Sequence, residues 1–449
     1  MKGSNVNKTI AAVATPPGDG GVAIIRISGP RAISIADSIF SGNIKNFISH
    51  KAYYGKIFSL TGDVLDEVLL LPMRTPRSFT GEDVVEIHCH GGRLITQRVL
   101  ARVLEAGALP AGPGEFSMRA YLNGKLDLAQ AEAIQELICA KNELALSSAQ
   151  EQLDGALSKK IRGFQKEIAD VTAIIEAWVD YPEEGLEFAS EEEILEQLKN
   201  VQEKIHSLRE SFHDGKILHE GVKLCLLGAP NVGKSSLMNA LLNRNRAIVT
   251  EIAGTTRDLI EESLRIGDLH VHLTDTAGIR EDAERIEEEG IRRSKKAAEH
   301  ADFILFVLDA TRAITSAEEE LLASLPNERT IVLHNKIDLA EKKSPSYLSV
   351  SAKTEEGLSE LKKLLHNRIW KNGRPGKEQI AITKERHYFA LKQTEELLDT
   401  VASGLREGIS PEFLSSDLRR ALKELGSIIG IDVTEEILGS IFSKFCVGK

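Results

Sequence analysis

Apolar positions change their spacing along this chain. From residue 1 to about 125, short β-rich runs ("GVAIIRIS", "VLLLPM", "VVEIHCH") alternate with helical stretches and Gly/Pro punctuation, which predicts an α+β domain. From about 126 to 215, apolar residues recur every third or fourth position. "LAQAEAIQELICAKNELALSSAQ" and "IRGFQKEIADVTAIIEAWVDY" therefore read as amphipathic helices. Between them and the next helical stretch, "DYPEEGLEFASEEE" reads as a turn and an acidic helix start. Residues 216 to about 373 alternate apolar strands ("VKLCLLG", "VHLTD", "FILFVLD", "TIVLHNK", "YLSVS") with helices, the alternation of a mainly parallel sheet. After "NGRPGKE" the helical period returns and runs to residue 449. The α/β segment 216–373 thus reads as inserted into an all-α domain whose halves are 126–215 and 374–449.

Composition narrows the class. A chain of 449 residues favours two to four domains, and 42% hydrophobic with 27% charged residues is ordinary for a soluble protein. No apolar run approaches the roughly 18–20 residues of a membrane span, and the N-terminus lacks the long apolar core of a secretory signal. Four cysteines without a close-spaced pair predict a reducing, cytoplasmic setting without disulfides. The net charge of −11 is uneven: residues 1–125 carry 14 Lys and Arg against 10 Asp and Glu, whereas 126–215 carry 8 against 20. A protein that coats nucleic acid nonspecifically shows a basic excess, and this one does not. Any RNA contact belongs to the mildly basic N-terminal segment, and it should be selective and sensitive to salt.

"GAPNVGKS", Gly228 to Ser235, follows the strand "VKLCLL" and matches the phosphate-binding loop. Its glycines let backbone N–H groups converge on phosphate oxygens, and the next helix adds its positive end. Lys234 suits the β- and γ-phosphates and Ser235 suits Mg²⁺. "DTAG" (Asp275, Thr276, Ala277, Gly278) closes the next strand, placing Asp275 towards Mg²⁺ and the Gly278 amide towards the γ-phosphate. "NKID" supplies Asn335, Lys336 and Asp338. The Asp338 carboxylate can accept from both N1–H and the 2-amino group of guanine, a donor pair adenine lacks. "SAK" (Ser351, Ala352, Lys353) suits the base carbonyl. Each fragment alone could be a turn after a strand; the ordered set predicts a GTP-binding domain.

Two departures bear on mechanism. Ras-type proteins place a glutamine just after "DTAG" to orient water, whereas here "IRE" follows. The base-like role passes to an acidic cluster in which Glu281, Asp282, Glu284, Glu287, Glu288 and Glu289 all compete. The loop also carries Asn231, and a long switch segment "TEIAGTTRD" starts at Thr250. An amide oxygen beside phosphates, with carbonyls of a nearby loop, suits a monovalent cation standing where an arginine finger otherwise supplies charge. The plain alternative is that Asn231 only braces the two switches.

With these residues in view, the chain resembles the MnmE (TrmE) family of tRNA-modification GTPases over its full length. The resemblance rests on "TPPGDGGVAIIRISGP", "SFTGEDVVEIHCHGG", "PGEFSMRAYLNGKLDLAQAEAI", "GAPNVGKSSLMNAL", "IVTEIAGTTRD", "DTAGIRE" and the terminal "FCVGK". It implies a multidomain α/β protein: an N-terminal folate-binding-like and dimerisation domain (1–125), a discontinuous helical domain and an inserted Ras-like P-loop GTPase domain. It implies a homodimer whose GTPase domains meet when potassium is bound. Nucleotide contacts then come from Asn231, Val232, Gly233, Lys234, Ser235 and Ser236, from Thr250, Glu251, Ile252, Ala253, Gly254, Thr255 and Thr256, and from the DTAG, NKID and SAK residues. By the same resemblance Asn231, Thr250, Ile252 and Thr255 hold K⁺, Ser235 and Thr256 hold Mg²⁺, and Glu287 positions the hydrolytic water. Three consecutive glutamates stand here, so Glu288 could share that role. A formyl-tetrahydrofolate is expected at Arg26, Glu86, Lys125 and Lys449. Cations suit the folate's carboxylates, and Glu86 suits the donors of its pterin. The implied task is modification at carbon 5 of wobble uridine in certain tRNAs. It proceeds together with a flavoprotein of the MnmG (GidA) type that brings FAD, because this chain has no dinucleotide fingerprint of its own. The competing class is a regulatory GTPase switch in ribosome assembly or stress signalling.

"HCH" places His88 and His90 on one side of a strand and Cys89 on the other, and two ligands without a third do not make a zinc site. At the C-terminus, Asp432 with Glu435 reads as a helix cap. Val433, Ile437, Ile441 and Phe445 read as the core face of a helix ending near Phe445. Cys446 then sits at the negative end of that helix, which does not favour a thiolate. A prenylation signal fits poorly with Gly448 and Lys449. The tail reads as an arm that the helical domain holds towards the N-terminal folate pocket, across the dimer or between domains, with Cys446 either a participant in uridine chemistry or an inert thiol.

Overall fold

The computed structural model describes residues 8–180, 189–242, 261–266, 269–275, 298, 301–340, 347–370 and 381–449. They form two compact units, one drawn from residues 1–138, 150–206 and 389–449 and the other from 139–149 and 207–388.

The first unit opens with a six-stranded sheet in the order β3-β4-β5-β2-β1-β6. Its strands are β1 (Ile10–Val13), β2 (Val22–Ser28), β3 (Tyr53–Phe58), β4 (Val64–Met73), β5 (Val84–His90) and β6 (Leu109–Pro110). All neighbours are antiparallel except β1 and β6. Period-2 alternation sends Ile25, Ile27, Val85, Ile87 and Cys89 into a core shared with helices α1 (Ala32–Asp37) and α2 (Arg93–Glu105). The opposite face keeps Arg26, Glu86 and His88, which are half-buried. Helix α3 (Glu115–Leu122) brings Phe116 against Ile10 and Ala12 on β1.

Helices α4 (Leu128–Cys139), α5 (Glu143–Leu153) and α6 (Ala156–Asp180) follow, and α7 (Glu191–Glu220) runs from one unit into the other. The helical period in the sequence is realised in α6, which buries Leu157, Ile161, Phe164, Ile168, Val171 and Ile175 at alternating steps of four and three. Helix α12 (Pro411–Ile429) answers with Leu414, Leu418, Ala421, Leu425 and Ile428. Gln165 of α6 donates to the Leu422 carbonyl (3.2 Å), and Arg419 pairs with Glu176 (2.8 Å).

The second unit holds a sheet ordered β12-β11-β10-β7-β9-β8. Its strands are β7 (Val222–Leu227), β8 (Glu261–Ile266), β9 (Leu269–Asp275), β10 (Phe303–Asp309), β11 (Thr330–Asn335) and β12 (Leu348–Ser349); only β8 runs antiparallel to its neighbour. Strand β10 shows why these strands read as unbroken apolar runs. Phe303, Leu305 and Val307 enter one core layer, while Ile304, Phe306 and Leu308 enter the other. Helices α8 (Lys234–Leu242), α9 (Ser316–Ala323) and α10 (Leu358–Ile369) belong to this unit, and α11 (Glu385–Arg406) again bridges the division.

The terminal helix α13 (Glu435–Phe442) departs from expectation. Its cap is Thr434, whose hydroxyl accepts from the Ile437 amide, whereas Asp432 sits at φ +57, outside the cap conformation. The helix ends at Phe442, and the buried positions are Phe442 and Phe445, with Ile437 47% exposed. Tyr121, Leu128 and Ala131 receive the two phenylalanines, and that receiving surface selects which of two adjacent apolar stripes turns inward.

Candidate nucleotide and tail sites

Every described nucleotide motif lies at the carboxyl end of a parallel strand, where an open α/β sheet leaves a crevice. The phosphate loop leaves β7 and enters α8. Val232 anchors it in the core at 1% exposure, while Asn231 is exposed at φ +64 on its outer turn. Gly233 adopts φ +93, and a Cβ there would stand 2.3 Å from Asn335 Nδ2, so only glycine fits. Lys234, 9% exposed, donates its ammonium to the carbonyls of Gly228 and Ala229 (both 2.8 Å). Ser235 and Ser236 are exposed on the first turn of α8.

Asn335, at the end of β11, joins three loops. Its amide Nδ2 donates to the Val232 carbonyl (2.9 Å), and its Oδ1 accepts from the Ala352 amide (3.0 Å). At 1% exposure it is a buried bracket between the phosphate loop and the SAK loop. Ser351 donates to Asp338 Oδ1 (2.7 Å), and its oxygen accepts from the Thr354 amide (3.1 Å). Asp338 is exposed with one carboxylate oxygen so held, and Lys353, two residues after Ser351, is exposed too. Lys336 takes φ +66 and extends to Asp309 Oδ2 at 2.7 Å. Burial raises the Asp309 carboxyl, but Lys336 and the Thr311 hydroxyl and amide outweigh it and hold it at about 2. Asp275 ends β9. Thr250 to Thr256, Thr276 to Gly278, and the acidic cluster including Glu287 lie outside the described residues.

The N-terminal sheet brings a second set together. Arg26 on β2 stands directly opposite Glu86 on β5. Arg26 donates Nε to Glu86 Oε1 (2.9 Å), and its Nη2 lies 2.9 Å from the same oxygen. The rings of Phe79 and Phe116 flank the guanidinium at 5.6 and 5.7 Å. His88 Nε2 is 3.4 Å from Glu86, and His90 pairs with Asp66 at 2.7 Å. Lys125 is exposed and donates to the Pro76 carbonyl (3.1 Å); its stem lies near Gly81, in the loop that carries Phe79.

The C-terminal tail reaches this set within its own chain. Phe445 is buried at 5% exposure, Cys446 is exposed, and Val447 bridges to Pro113. Gly114 donates to the Cys446 carbonyl (3.3 Å), and the Phe116 amide donates to the Lys449 carbonyl (3.2 Å). Arg26 Nη1 donates to the Gly448 carbonyl at 3.3 Å. Arg26, Glu86 and the backbone of residues 448–449 are therefore neighbours. The sequence reading passed over three contributors here and in the nucleotide unit. Phe79 and Phe116 carried no motif. Asp309 carried a signal: it ends an apolar strand with a polar residue, as Asp275 and Asn335 do.

A family model described as the GTP-binding protein TrmE N-terminus matches residues 9–125, and one described as the MnmE helical domain matches residues 128–446. The chain is 55% identical over 447 residues to a tRNA modification GTPase MnmE of Protochlamydia amoebophila, with 98% of each chain covered. It is 44% identical to the protein of the same name from Chlamydia caviae, with 99% of each covered. The G domain of the T. maritima FeoB iron transporter is 26% identical over 33% of this chain and 98% of its own, with a TM-score of 0.25. No helix among the described residues is long and apolar enough to cross a membrane. On the strength of the family models and the full-length identity, the chain belongs to the MnmE family of tRNA modification GTPases and is a GTP hydrolase.

Proposed function

We propose that this protein couples potassium-dependent GTP hydrolysis to the modification of wobble uridine in certain tRNAs. With a flavoprotein partner of the MnmG type, it adds an aminomethyl or carboxymethylaminomethyl group at carbon 5, and a formyl-tetrahydrofolate is the one-carbon donor. It works as a homodimer. The observation that carries this reading is the convergence of Arg26, Glu86 and the tail carbonyl of Gly448 on one face of the N-terminal sheet, in a chain whose other unit holds the GTP loops.

In the nucleotide unit the residues fit GTP with Mg²⁺. Lys234 donates to the carbonyls of Gly228 and Ala229, at the place where anionic phosphate oxygens would be strong partners for its ammonium. Asp338 keeps a carboxylate oxygen for the guanine donors while Ser351 holds the other. The Ser235 hydroxyl stands exposed at the mouth of the loop and serves the magnesium together with Thr256. Asn231, Thr250, Ile252 and Thr255 hold potassium, which supplies positive charge to the transferring phosphoryl group. Glu287 positions the attacking water.

At the sheet site, the half-buried Phe79 ring suits a flat heterocycle, Glu86 accepts its N–H donors, and Arg26, Lys125 and Lys449 are suitable partners for its carboxylates. The exposure of Cys446 supports a part for its thiol in uridine chemistry.

Mass analysis of wobble uridine in tRNA from cells lacking the gene tests the central claim, and unaltered modification would sink it. GTP turnover in potassium against sodium, with binding of a reduced folate, tests the finer terms. Equal turnover in sodium and no folate binding would leave a plain GTPase switch. Glu287→Ala should abolish hydrolysis while sparing GTP binding; retained turnover moves the role to a neighbouring glutamate.

A further inference from the structure

We infer that Asp309, at the end of β10, is a positioning residue for GTP: it never touches the nucleotide but fixes Lys336 of the NKID loop beside the phosphate loop. The geometry supplies each link. Lys336 is held in left-handed backbone at φ +66 and reaches Asp309 Oδ2 at 2.7 Å. Its Cε lies 3.9 Å from where a Cβ on Gly233 would stand, so its stem passes close to the phosphate-loop backbone. The preceding residue, Asn335, is itself fastened to Val232 and Ala352. Lys336 is thus pinned at its backbone by Asn335 and at its tip by Asp309.

Asp309 is a fixed anchor. Its Oδ1 accepts from the Thr311 amide (3.0 Å) and hydroxyl (2.7 Å), which leaves Oδ2 for Lys336. The loop beyond is tied down in turn. Arg312 makes two 2.8 Å bonds to Glu318, which is 4% exposed, and Glu318 closes the capping box of α9 on Thr315. Two charged pairs, joined through the turn from Asp309 to Arg312, therefore connect the start of α9 with the lysine of the base-binding loop. A flexible lysine is costly to order, and ordering it before the ligand arrives lowers the cost of binding.

The inference rests on Lys336 contacting the nucleotide, so the test separates the two. Full-length Asp309→Asn, Lys336→Ala and the double variant are compared with wild type for GTP and GDP affinity by fluorescent-nucleotide titration, for KM and kcat, and for thermal unfolding. Asp309→Asn keeps its Oδ1 acceptor for Thr311 and sets an amide NH2, which cannot accept a hydrogen bond, in place of the anionic oxygen opposite Lys336. It should weaken nucleotide binding about five- to tenfold, the range of a half-buried charged hydrogen bond. The loss should appear in KM with kcat unchanged and guanine still preferred over hypoxanthine, because Asp338 is untouched. In the Lys336→Ala background the same change should do nothing further. Wild-type affinity in Asp309→Asn, or losses that add in the double variant, would overturn the inference. Wild-type affinity in Lys336→Ala would overturn the reading of Lys336 itself. Asp309→Glu, which restores the charge on a longer arm, should recover part of the affinity, and its failure to do so while folded also counts against the inference.

Discussion

Replacing one glycine should detach the tail without unfolding the protein. Gly448 adopts φ +93, and a Cβ there would stand 2.2 Å from the Val13 carbonyl and 3.0 Å from the Ala14 Cα. Neither can yield, because Val13 is paired with Ile25 across β1 and β2 and Ala14 donates to the Ile24 carbonyl (2.7 Å). Gly448→Ala therefore costs at least about 1–2 kcal/mol in backbone strain alone, before the clash. Against this stand the bonds that dock the tail. The two from Gly114 and Phe116 are worth roughly 0.5–1.5 kcal/mol each, and the charged one from Arg26 roughly 1.5–3. Ordering residues 446–449 consumes roughly 1–2 kcal/mol per residue, so docking is close to balanced and strain of this size releases it. Phe445 remains, since its burial is worth about 1.5–3 kcal/mol by itself. Hydrogen exchange should then show residues 446–449 fully exchanging within the first time point, and carboxypeptidase should trim them, while the thermal transition moves little. GTP hydrolysis should persist and wobble-uridine modification should fall. A C-terminal peptide as protected as in wild type would refute the account of Gly448.

Other changes probe the remaining links. Asn335→Ala leaves the Val232 carbonyl and the Ala352 amide without their buried partner, at roughly 1–3 kcal/mol each, and should weaken GTP at least about thirtyfold by titration. Cys446→Ser should leave hydrolysis intact and impair tRNA modification; normal modification would assign the thiol to packing. Stability should decline in acid in two stages. Burial, then the neighbouring His272 and Lys141, depress His270 from 6.5 to about 4, so the unfolded chain takes up a proton that the folded chain refuses as pH falls through that window. Arg312 is the main cause that holds Glu318 at about 2 instead of 4.5, and Lys336 helps hold Asp309 at about 2 instead of 3.8. Their contribution is complete above about 4.5 and vanishes as pH falls towards 2. Thermal melts from pH 7 to 3 check both stages, and His270→Gln should flatten the first.

What the sequence revealed follows from the range of the interactions involved. Strands β7 and β10 are buried on both faces from Leu224 to Leu227 and from Phe303 to Leu308, so each shows an unbroken apolar run that needs no partner to be recognised. Helix α6 shows its face because it packs along a second long amphipathic helix, α12. The cap of α13 escaped because Asp432 and Thr434, two residues apart, carry the same capping chemistry, and only the backbone decides between them. That backbone follows Gly430, which ends α12 at φ +92 with Tyr121 bonded to its carbonyl. The meeting of Arg26 with Gly448 joins residues 422 positions apart, and no local pattern encodes it. Its trace in the sequence is indirect and lies in the glycines. Gly114 at φ +64 would push a Cβ to within 2.6 Å of the Phe442 carbonyl, and Gly448 would push one against β1. A side chain at either place would part the tail from the sheet. The glycine in "FCVGK" is therefore as much a condition of the Arg26 site as the cation itself, and it is a condition of approach, legible only when both partners are seen.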